Sequence, residues 1–281
     1  MALTTLAAVL ADAKQKNYAV PAFNFWTFED VVGILAAAQE KHSPVILMAS
    51  PSCVTHLGLA VIGHIVRERA ALVDIPVVLH LDHAEDLALL VQAMHHGFTS
   101  IMYDGSKLPI DENIANTRYA VQVGNALGVS VEGEIGKMGK GEEGEAGKQI
   151  LTDPEEAVRF CAETGVDALA IAAGTMHGMQ TQQANIRFDI VEEISQRVST
   201  PLVLHGSSGV RNEDLPLLSK TGICKINFGT KLRSTFVESC RDSLSKDPSL
   251  KNHVVLLDKA GKAVGEIVKD KISRLGSENQ A

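Results

Sequence analysis

Ionisable side chains follow directly on an apolar segment in VVLHLDHAED (77–86). The β-branched and leucine residues are typical of a buried strand, which ends in Asp82 and His83. One interpretation is a pair of side chains that do chemistry, because titratable groups with perturbed pKa values concentrate at active sites. The other is a polar strand end before an acidic helix start, where Glu85 and Asp86 would suit the helix dipole. These residues alone favour neither interpretation.

Two more histidines, His177 and His205, also follow apolar segments. Three neutral imidazoles with an open fourth position describe a catalytic zinc site. If His83, His177 and His205 converge, the sequence predicts zinc bound by all three. The alternative is ordinary packing, since the chain has ten histidines and most will be structural or solvated. His80, on the same side of its strand as Asp82, stays a weaker candidate.

Eight short apolar segments recur along the chain, and each is a predicted strand. They are 18–24, 44–50, 76–82, 99–104, 129–134, 167–173, 201–206 and 224–229. Helical patterns lie between them, among others at 28–42, 85–97, 110–128 and 153–165. Strands that alternate with helices predict a parallel sheet covered on both faces. Eight such units favour a single (β/α)₈ TIM-barrel domain over residues 1–281 rather than an open doubly wound sheet.

A barrel would bring the strand ends together, because active sites of this fold lie at the carboxyl ends of its strands. Each predicted strand ends in polar residues or glycine. These are Asn24, Ser50, Asp82 with His83, Asp104, Glu134, Thr175 with His177, His205 with Gly206, and Asn227 with Thr230. Glycines and hydroxyls after the last two strands, in HGSSG (205–209) and NFGT (227–230), are typical of a phosphate site. A carboxylate beside a bound cation, as Asp82 would be, suits a base that accepts a hydroxyl proton.

The composition narrows the class of protein. With 281 residues, 45% hydrophobic and 21% charged, the chain has enough apolar side chains for a large core. The formal net charge of −8 argues against a nucleic-acid partner, which would need a basic face. The four cysteines are widely spaced without a CxxC pair, and no apolar run is long enough to cross a membrane. Residues 1–17 read as an amphipathic helix rather than a signal peptide, so we expect a cytoplasmic protein with small-molecule partners.

Six motifs, in order along nearly the whole chain, resemble the class II, zinc-dependent ketose-bisphosphate aldolases. The likeness is strongest to the branch that cleaves tagatose and fructose bisphosphates. The motifs are YAVPAFN (18–24), LDH (81–83), VEGEIG (131–136), DALAIAAGTMHG (167–178), PLVLHGSSG (201–209) and KINFGT (225–230).

The resemblance implies that His83, His177 and His205 bind zinc and that Asp82 is the acid/base acting on the C4 hydroxyl of the substrate. It implies further that Glu142 moves the proton on the dihydroxyacetone phosphate carbon. Other matching positions would hold phosphate or enediolate (Gly178, Gly206, Ser208, Asn227, Thr230), face the substrate (Asn24, Ser50) or lie near the metal (Asp104, Glu134). The expected activity is reversible cleavage of a phosphorylated ketose to dihydroxyacetone phosphate and an aldehyde. A homodimer or homotetramer is expected, with Na⁺ or K⁺ among the nearby carbonyls.

Departures from the family pattern put the far end of the substrate in doubt. Gln180 stands where the family has Tyr, Lys140 interrupts a pair of glycines, and Gly229 and Ser207 differ from the usual residues. The stretch 104–117 looks closer to aldolases that cleave 5-keto-2-deoxy-6-phosphogluconate, so that substrate, or another ketose 1-phosphate, is an alternative.

Other classes of function explain less of the sequence. A Schiff-base aldolase would need a buried lysine, for which Lys225 is the candidate, and would leave the three histidines unexplained. A zinc hydrolase of the barrel type usually has an HxH pair at its first strand, which 18–24 lacks. A noncatalytic stabilising subunit of an aldolase complex could lose Asp82 or a zinc-binding histidine. Asp82 and the three histidines are all present here, which favours a catalytic role.

Overall fold

Eight parallel strands form a closed barrel in the computed structural model, which describes residues 3–137, 139–140, 149–179 and 181–281. The barrel strands are β1 (Val20–Asn24), β2 (Val45–Ala49), β3 (Val77–Ala84), β4 (Ser100–Tyr103), β5 (Ser130–Ile135), β7 (Ala168–Ile171), β9 (Leu202–Leu204) and β10 (Ile223–Phe228). They neighbour one another in chain order, and β10 pairs with β1 to close the ring. Two short strands, β6 (Gly139–Lys140) and β8 (Met176–His177), form a separate parallel pair. The predicted TIM barrel is confirmed, and each predicted strand overlaps one barrel strand.

Helices lie between the strands in chain order. They are α1 (Leu6–Lys16), α2 (Phe28–Glu40), α3 (Pro51–Leu57), α4 (Leu59–Ala70), α5 (Leu87–His95), α6 (Ile110–Leu127), α7 (Pro154–Thr164), α8 (Phe188–Arg197), α9 (Leu215–Leu218), α10 (Thr230–Lys246) and α11 (His253–Arg274). Several begin at side chains that accept hydrogen bonds from the first turn, as sequence predicts for N-caps. Asp86 is one: its Oδ1 accepts from the N–H of Ala88 at 2.8 Å, so the acidic residue after β3 does start a helix.

The amino-terminal helix α1 closes the end of the barrel where the strands begin. Leu6 and Leu10 pack with Val20, Ile46 and Val203 in an apolar cluster separate from the core between sheet and helices. The predicted amphipathic helix is thus confirmed, and the polar strand ends lie at the opposite, carboxyl end. Among the residues that the structure describes, no helix is long and apolar enough to span a membrane.

Candidate active site

A cavity of about 210 Å³ opens at the carboxyl ends of the strands. Ten of the predicted site residues line it: Asn24, Asp82, His83, His177, Gly178, His205, Gly206, Ser208, Asn227 and Thr230. Two larger clefts, of about 340 Å³ between α2 and α11 and about 390 Å³ near the start of β10, contain none of these residues. The convergence predicted from the strand ends therefore exists in the fold.

A β-bulge at the end of β3 brings Asp82 and His83 to the same cavity. Strand alternation alone would turn one of two consecutive side chains outward, toward the helices. Here residues 82–84 stand opposite residues 102–103, so β3 carries one extra residue at this point. His83 takes a φ of 50°, in the left-handed region that few residues other than glycine occupy. This local departure from a regular strand lets both side chains face the barrel mouth.

The three histidines form a compact group. Ligand nitrogens of His83, His177 and His205 all lie within 4.8 Å of one another. His83 Nε2 and His205 Nδ1 face each other at 2.8 Å, and the ring of His177 lies 4.9 Å from that of His83, centroid to centroid. Neutral imidazoles are preferred zinc ligands. The donor set and its convergence fit a metal ion of this kind.

Asp82 lies beside the histidines and is held by two amides. Asn24 Nδ2 donates to Asp82 Oδ2 at 2.9 Å, and Asn227 Nδ2 lies 3.4 Å from Oδ1. A Cβ on residue 229 would come within 2.6 Å of Asn24 Oδ1, so Gly229 leaves room for this amide. Asp82 is almost fully buried, with 4% of the residue exposed, yet it lines the cavity.

Asp104 and Glu134 lie on the other side of His83. Asp104 Oδ2 is 2.8 Å from His83 Nδ1, and Glu134 Oε2 is 3.6 Å from the same nitrogen. Together with His83 they form a second group of donors within 4.8 Å. Glu134 Oε2 is buried without a hydrogen-bond partner among the described residues. Both acids thus lie near the histidine group.

The charges of this group shift its pKa values in opposite directions. Burial acts to raise the pKa of Asp82, but the neighbouring His83, His205 and Lys225 outweigh it and lower that pKa. Burial opposes the protonation of His83, but Asp82 and the other carboxylates raise its pKa to about 10. Burial and the charge of His83 lower the pKa of His205 well below its usual value. In the metal-free protein His83 is therefore protonated on both ring nitrogens at neutral pH: its Nδ1–H faces Asp104 and its Nε2–H faces Nδ1 of His205.

Two glycines allow the backbone to turn just after β8 and β9. Gly178 and Gly206 have φ values of 75° and 65°, which residues with a Cβ rarely adopt. A Cβ on Gly206 would also come within 2.7 Å of the carbonyl oxygen of Met176. Ser208 lies in the 3₁₀ turn Ser207–Gly209, and Thr230 is the first residue of α10, whose amino terminus opens to the cavity. Backbone N–H groups at such a helix start favour an anion.

The cavity lining does not include every predicted site residue. Ser50 is not among the cavity-lining residues; its Oγ caps α3 and lies 2.9 Å from Ser52 Oγ. Glu142 lies outside the described residues, as does Gln180. The roles predicted for the site residues, in the cavity and outside it, stay predictions.

The structure adds residues that sequence patterns did not single out. Trp26 and Arg233 line the cavity, with the guanidinium of Arg233 5.5 Å from the centroid of the Trp26 ring. Trp26 Nε1 also donates to Ser52 Oγ at 3.2 Å. Deeper in the barrel, Glu132 Oε1 lies 2.8 Å from His205 Nε2. Arg233 could have been predicted from the sequence, because it is a basic residue one helical turn after Thr230. The contact between Glu132 and His205 could not, because it depends on the register of the strands.

The model of the family described as class II fructose-bisphosphate aldolase matches residues 4–280. The chain belongs to this family. As a class II aldolase it is a carbon–carbon lyase, and the resemblance stated from the motifs is confirmed.

Similar proteins match this chain over all or nearly all of its length. A 6-phospho-5-dehydro-2-deoxy-D-gluconate aldolase of Shouchella clausii (strain KSM-K16) is 37% identical over 286 residues, covering 100% of this chain and 97% of the relative. The D-tagatose-1,6-bisphosphate aldolase subunit GatY of Klebsiella oxytoca is 34% identical over 275 residues, covering 97% of each. The crystal structure of the YdjI aldolase from Escherichia coli K12 is similar with a TM-score of 0.87 and 32% identity, covering 98% of each chain.

Proposed function

We propose that this aldolase reversibly cleaves a phosphorylated ketose to dihydroxyacetone phosphate and an aldehyde, with a zinc ion bound by His83, His177 and His205. When bound, the zinc ion supplies a Lewis acid that polarises the ketone oxygen and stabilises negative charge on it. The observation that carries the proposal is the location of a buried carboxylate, Asp82, beside three convergent imidazoles in one cavity.

Asp82 acts as the base for the C4 hydroxyl in this proposal. Its lowered pKa leaves it ionised at neutral pH, so it is available to accept the hydroxyl proton as the carbon–carbon bond breaks. The hydrogen bond from Asn24 and the nearby amide of Asn227 orient the carboxylate. In the condensation direction the same oxygen returns the proton to the new hydroxyl.

Glu142 is proposed to move the second proton, on the dihydroxyacetone phosphate carbon. It is two positions after Lys140, whose backbone pairs with His177 in the β6–β8 ladder. The assignment itself rests on the family resemblance.

The phosphate of the dihydroxyacetone half is proposed to bind where β9 and β10 end. Gly178 and Gly206 would allow close approach of backbone N–H groups. Ser208, in the turn after β9, and Thr230, at the start of α10, would add hydroxyl donors. Asn227 would contact the enediolate, and Asn24 and Ser50 would contact hydroxyl groups of the substrate. A Na⁺ or K⁺ ion would bind to backbone carbonyls near the phosphate. We also propose a cytoplasmic homodimer or homotetramer.

The two substrates named for the relatives share one half. In tagatose 1,6-bisphosphate and in 6-phospho-5-dehydro-2-deoxygluconate, the ketone neighbours a phosphorylated CH₂ group, so each yields dihydroxyacetone phosphate. The far ends differ: one is a phosphate and the other a carboxylate. Both are anions, and Arg233, which lies beside Trp26 in the cavity lining, is a cation that would meet either.

A panel of substrates tests the proposal. The zinc-loaded protein would be assayed for dihydroxyacetone phosphate release from tagatose 1,6-bisphosphate, fructose 1,6-bisphosphate and 6-phospho-5-dehydro-2-deoxygluconate. Release from at least one is expected, and the ranking of kcat/KM identifies the far-end group. If zinc is bound but none of the three releases dihydroxyacetone phosphate, the proposed substrate class is wrong.

A further inference from the structure

Ionisable side chains fill a layer of the barrel interior below the candidate site. Glu132, Lys225 and His80 are each 0% exposed. Layers inside such barrels are usually apolar, and burying an ion pair costs free energy that its own attraction often fails to offset. None of the three lines the substrate cavity among the described residues. Their presence therefore calls for a role other than substrate contact.

These side chains form a continuous chain of contacts that ends at His205. Lys225 Nζ lies 2.6 Å from Glu132 Oε2 and 3.4 Å from His80 Nε2. His80 Nδ1 lies 2.7 Å from Ser100 Oγ. Glu132 Oε1, the remaining carboxylate oxygen, lies 2.8 Å from His205 Nε2.

Donor and acceptor rules assign the protons along this chain. An ammonium group only donates, so His80 Nε2 accepts from Lys225 and the proton of His80 is on Nδ1. An ionised carboxylate only accepts, so His205 donates to Glu132 from Nε2. A neutral His205 then has its lone pair on Nδ1, the nitrogen that faces His83 Nε2 at 2.8 Å. His80 and His205 therefore have opposite tautomers, because His80 contacts the lysine and His205 the carboxylate of one ion pair, Lys225 with Glu132.

We infer that Glu132, held by Lys225, is a positioning residue that fixes His205 as the Nε2–H tautomer and so presents its Nδ1 lone pair to the metal. The inference rests on the proposed function, in which His205 is a zinc ligand. The inference also gives a different role to Lys225, the residue that a Schiff-base mechanism would use. The ammonium of Lys225 pairs with Glu132 Oε2, which leaves Oε1 to accept from His205.

The tautomer can be measured on the wild-type protein without any substitution in the ion pair. Long-range ¹H–¹⁵N spectra of the metal-free protein, with histidines labelled and His205 and His80 assigned from His205→Gln and His80→Gln, report the protonated nitrogen. We expect Nε2–H for His205 and Nδ1–H for His80. A proton on Nδ1 of His205 as its only N–H would overturn the inference, whatever the variants do.

Glu132→Gln should invert the tautomer of His205. Lys225 still donates, so the introduced amide turns its oxygen to Lys225 and its NH₂ to His205 Nε2, which then accepts. The proton moves to Nδ1, and competition with a chelator should show zinc binding weakened by about 10- to 100-fold. Adding Lys225→Met removes the donor that turns the amide, so the double variant should regain Nε2–H and part of the zinc affinity.

Asp214→Asn is the matched control, because Asp214 is also a buried carboxylate paired with a cation, Arg211, at 2.8 Å. It should lower thermal stability without changing zinc affinity. Wild-type zinc affinity in a folded Glu132→Gln variant would refute the inference while leaving the zinc enzyme intact. Absence of zinc binding by the wild type would instead refute the proposed function, so the two failures are distinguishable.

Discussion

Asp82→Asn separates the two proton transfers that the proposed mechanism assigns to different carboxylates. The substitution keeps the size of the side chain and an oxygen that can accept the hydrogen bond from Asn24, now 2.9 Å long. It removes the ability to take a proton from the C4 hydroxyl. Asp82 is not one of the three nitrogen donors of the histidine group, so zinc should remain bound.

The expected loss is that of a positioned general base. Such a group contributes about 10²- to 10⁴-fold in rate, which corresponds to about 2.7 to 5.4 kcal/mol of transition-state stabilisation. Among the described residues that line the cavity, Asp82 is the one carboxylate, and Asp104 and Glu134 instead contact Nδ1 of His83. We therefore expect no substitute base and a fall in kcat within this range.

Two assays on one preparation make the prediction specific. Cleavage is followed by dihydroxyacetone phosphate release, and exchange of the dihydroxyacetone phosphate carbon-bound hydrogen with deuterated water is followed by NMR. Exchange uses only the proton assigned to Glu142, so it should continue at close to the wild-type rate. Asp86→Asn, a change at the exposed cap of α5, is the control and should leave both rates unchanged.

Three results would refute this reasoning. Turnover within a few-fold of wild type would mean that Asp82 is not the base. Loss of exchange together with cleavage would mean that the two transfers share a residue. Loss of zinc would mean that Asp82 acts through the metal site.

The remaining predictions concern the metal, the far end of the substrate and assembly. Zinc binds a neutral His83, whose pKa is raised to about 10 in the metal-free protein. Zinc uptake at pH 7 should therefore release about one proton, and zinc affinity should weaken as the pH falls. Calorimetry in two buffers of different ionisation enthalpy measures this release, and a result of no released proton would contradict the prediction. Arg233→Met should raise KM for an anionic aldehyde such as glyceraldehyde 3-phosphate by roughly 10- to 100-fold, as expected for a lost charged hydrogen bond, and leave KM for neutral glyceraldehyde unchanged in the condensation assay. Arg187→Met, whose arginine pairs with Asp189 outside the cavity, should change neither. Light scattering should give the mass of a dimer or tetramer; a monomer at assay concentration would contradict the assembly prediction.

The architecture was readable from the sequence because each strand was a continuous apolar segment between helical patterns. Parallel strands buried on both faces leave that signal. The rule that barrel sites form at the carboxyl ends then grouped residues as far apart in the chain as Asn24 and Asn227. Both amides do contact Asp82 in the structure.

The orientation of His83 was not readable. Period-two alternation predicts that Asp82 and His83 face opposite sides, and only the bulge with its positive φ brings them together. The contact between Glu132 and His205 escaped prediction for a related reason. It depends on which residue of β5 lies at the same level of the barrel as His205, the residue after β9, and that follows from the shear of the closed sheet.

The central claim is that the site of His83, Asp82 and Arg233, when zinc is bound, cleaves a ketose whose ketone group neighbours a phosphorylated carbon. The most direct measurement is dihydroxyacetone phosphate release from the best substrate of the panel by chelator-treated protein, before and after zinc is restored. We predict no release above background without metal and recovery in proportion to the zinc bound. Full release by protein shown to contain no metal would contradict the account.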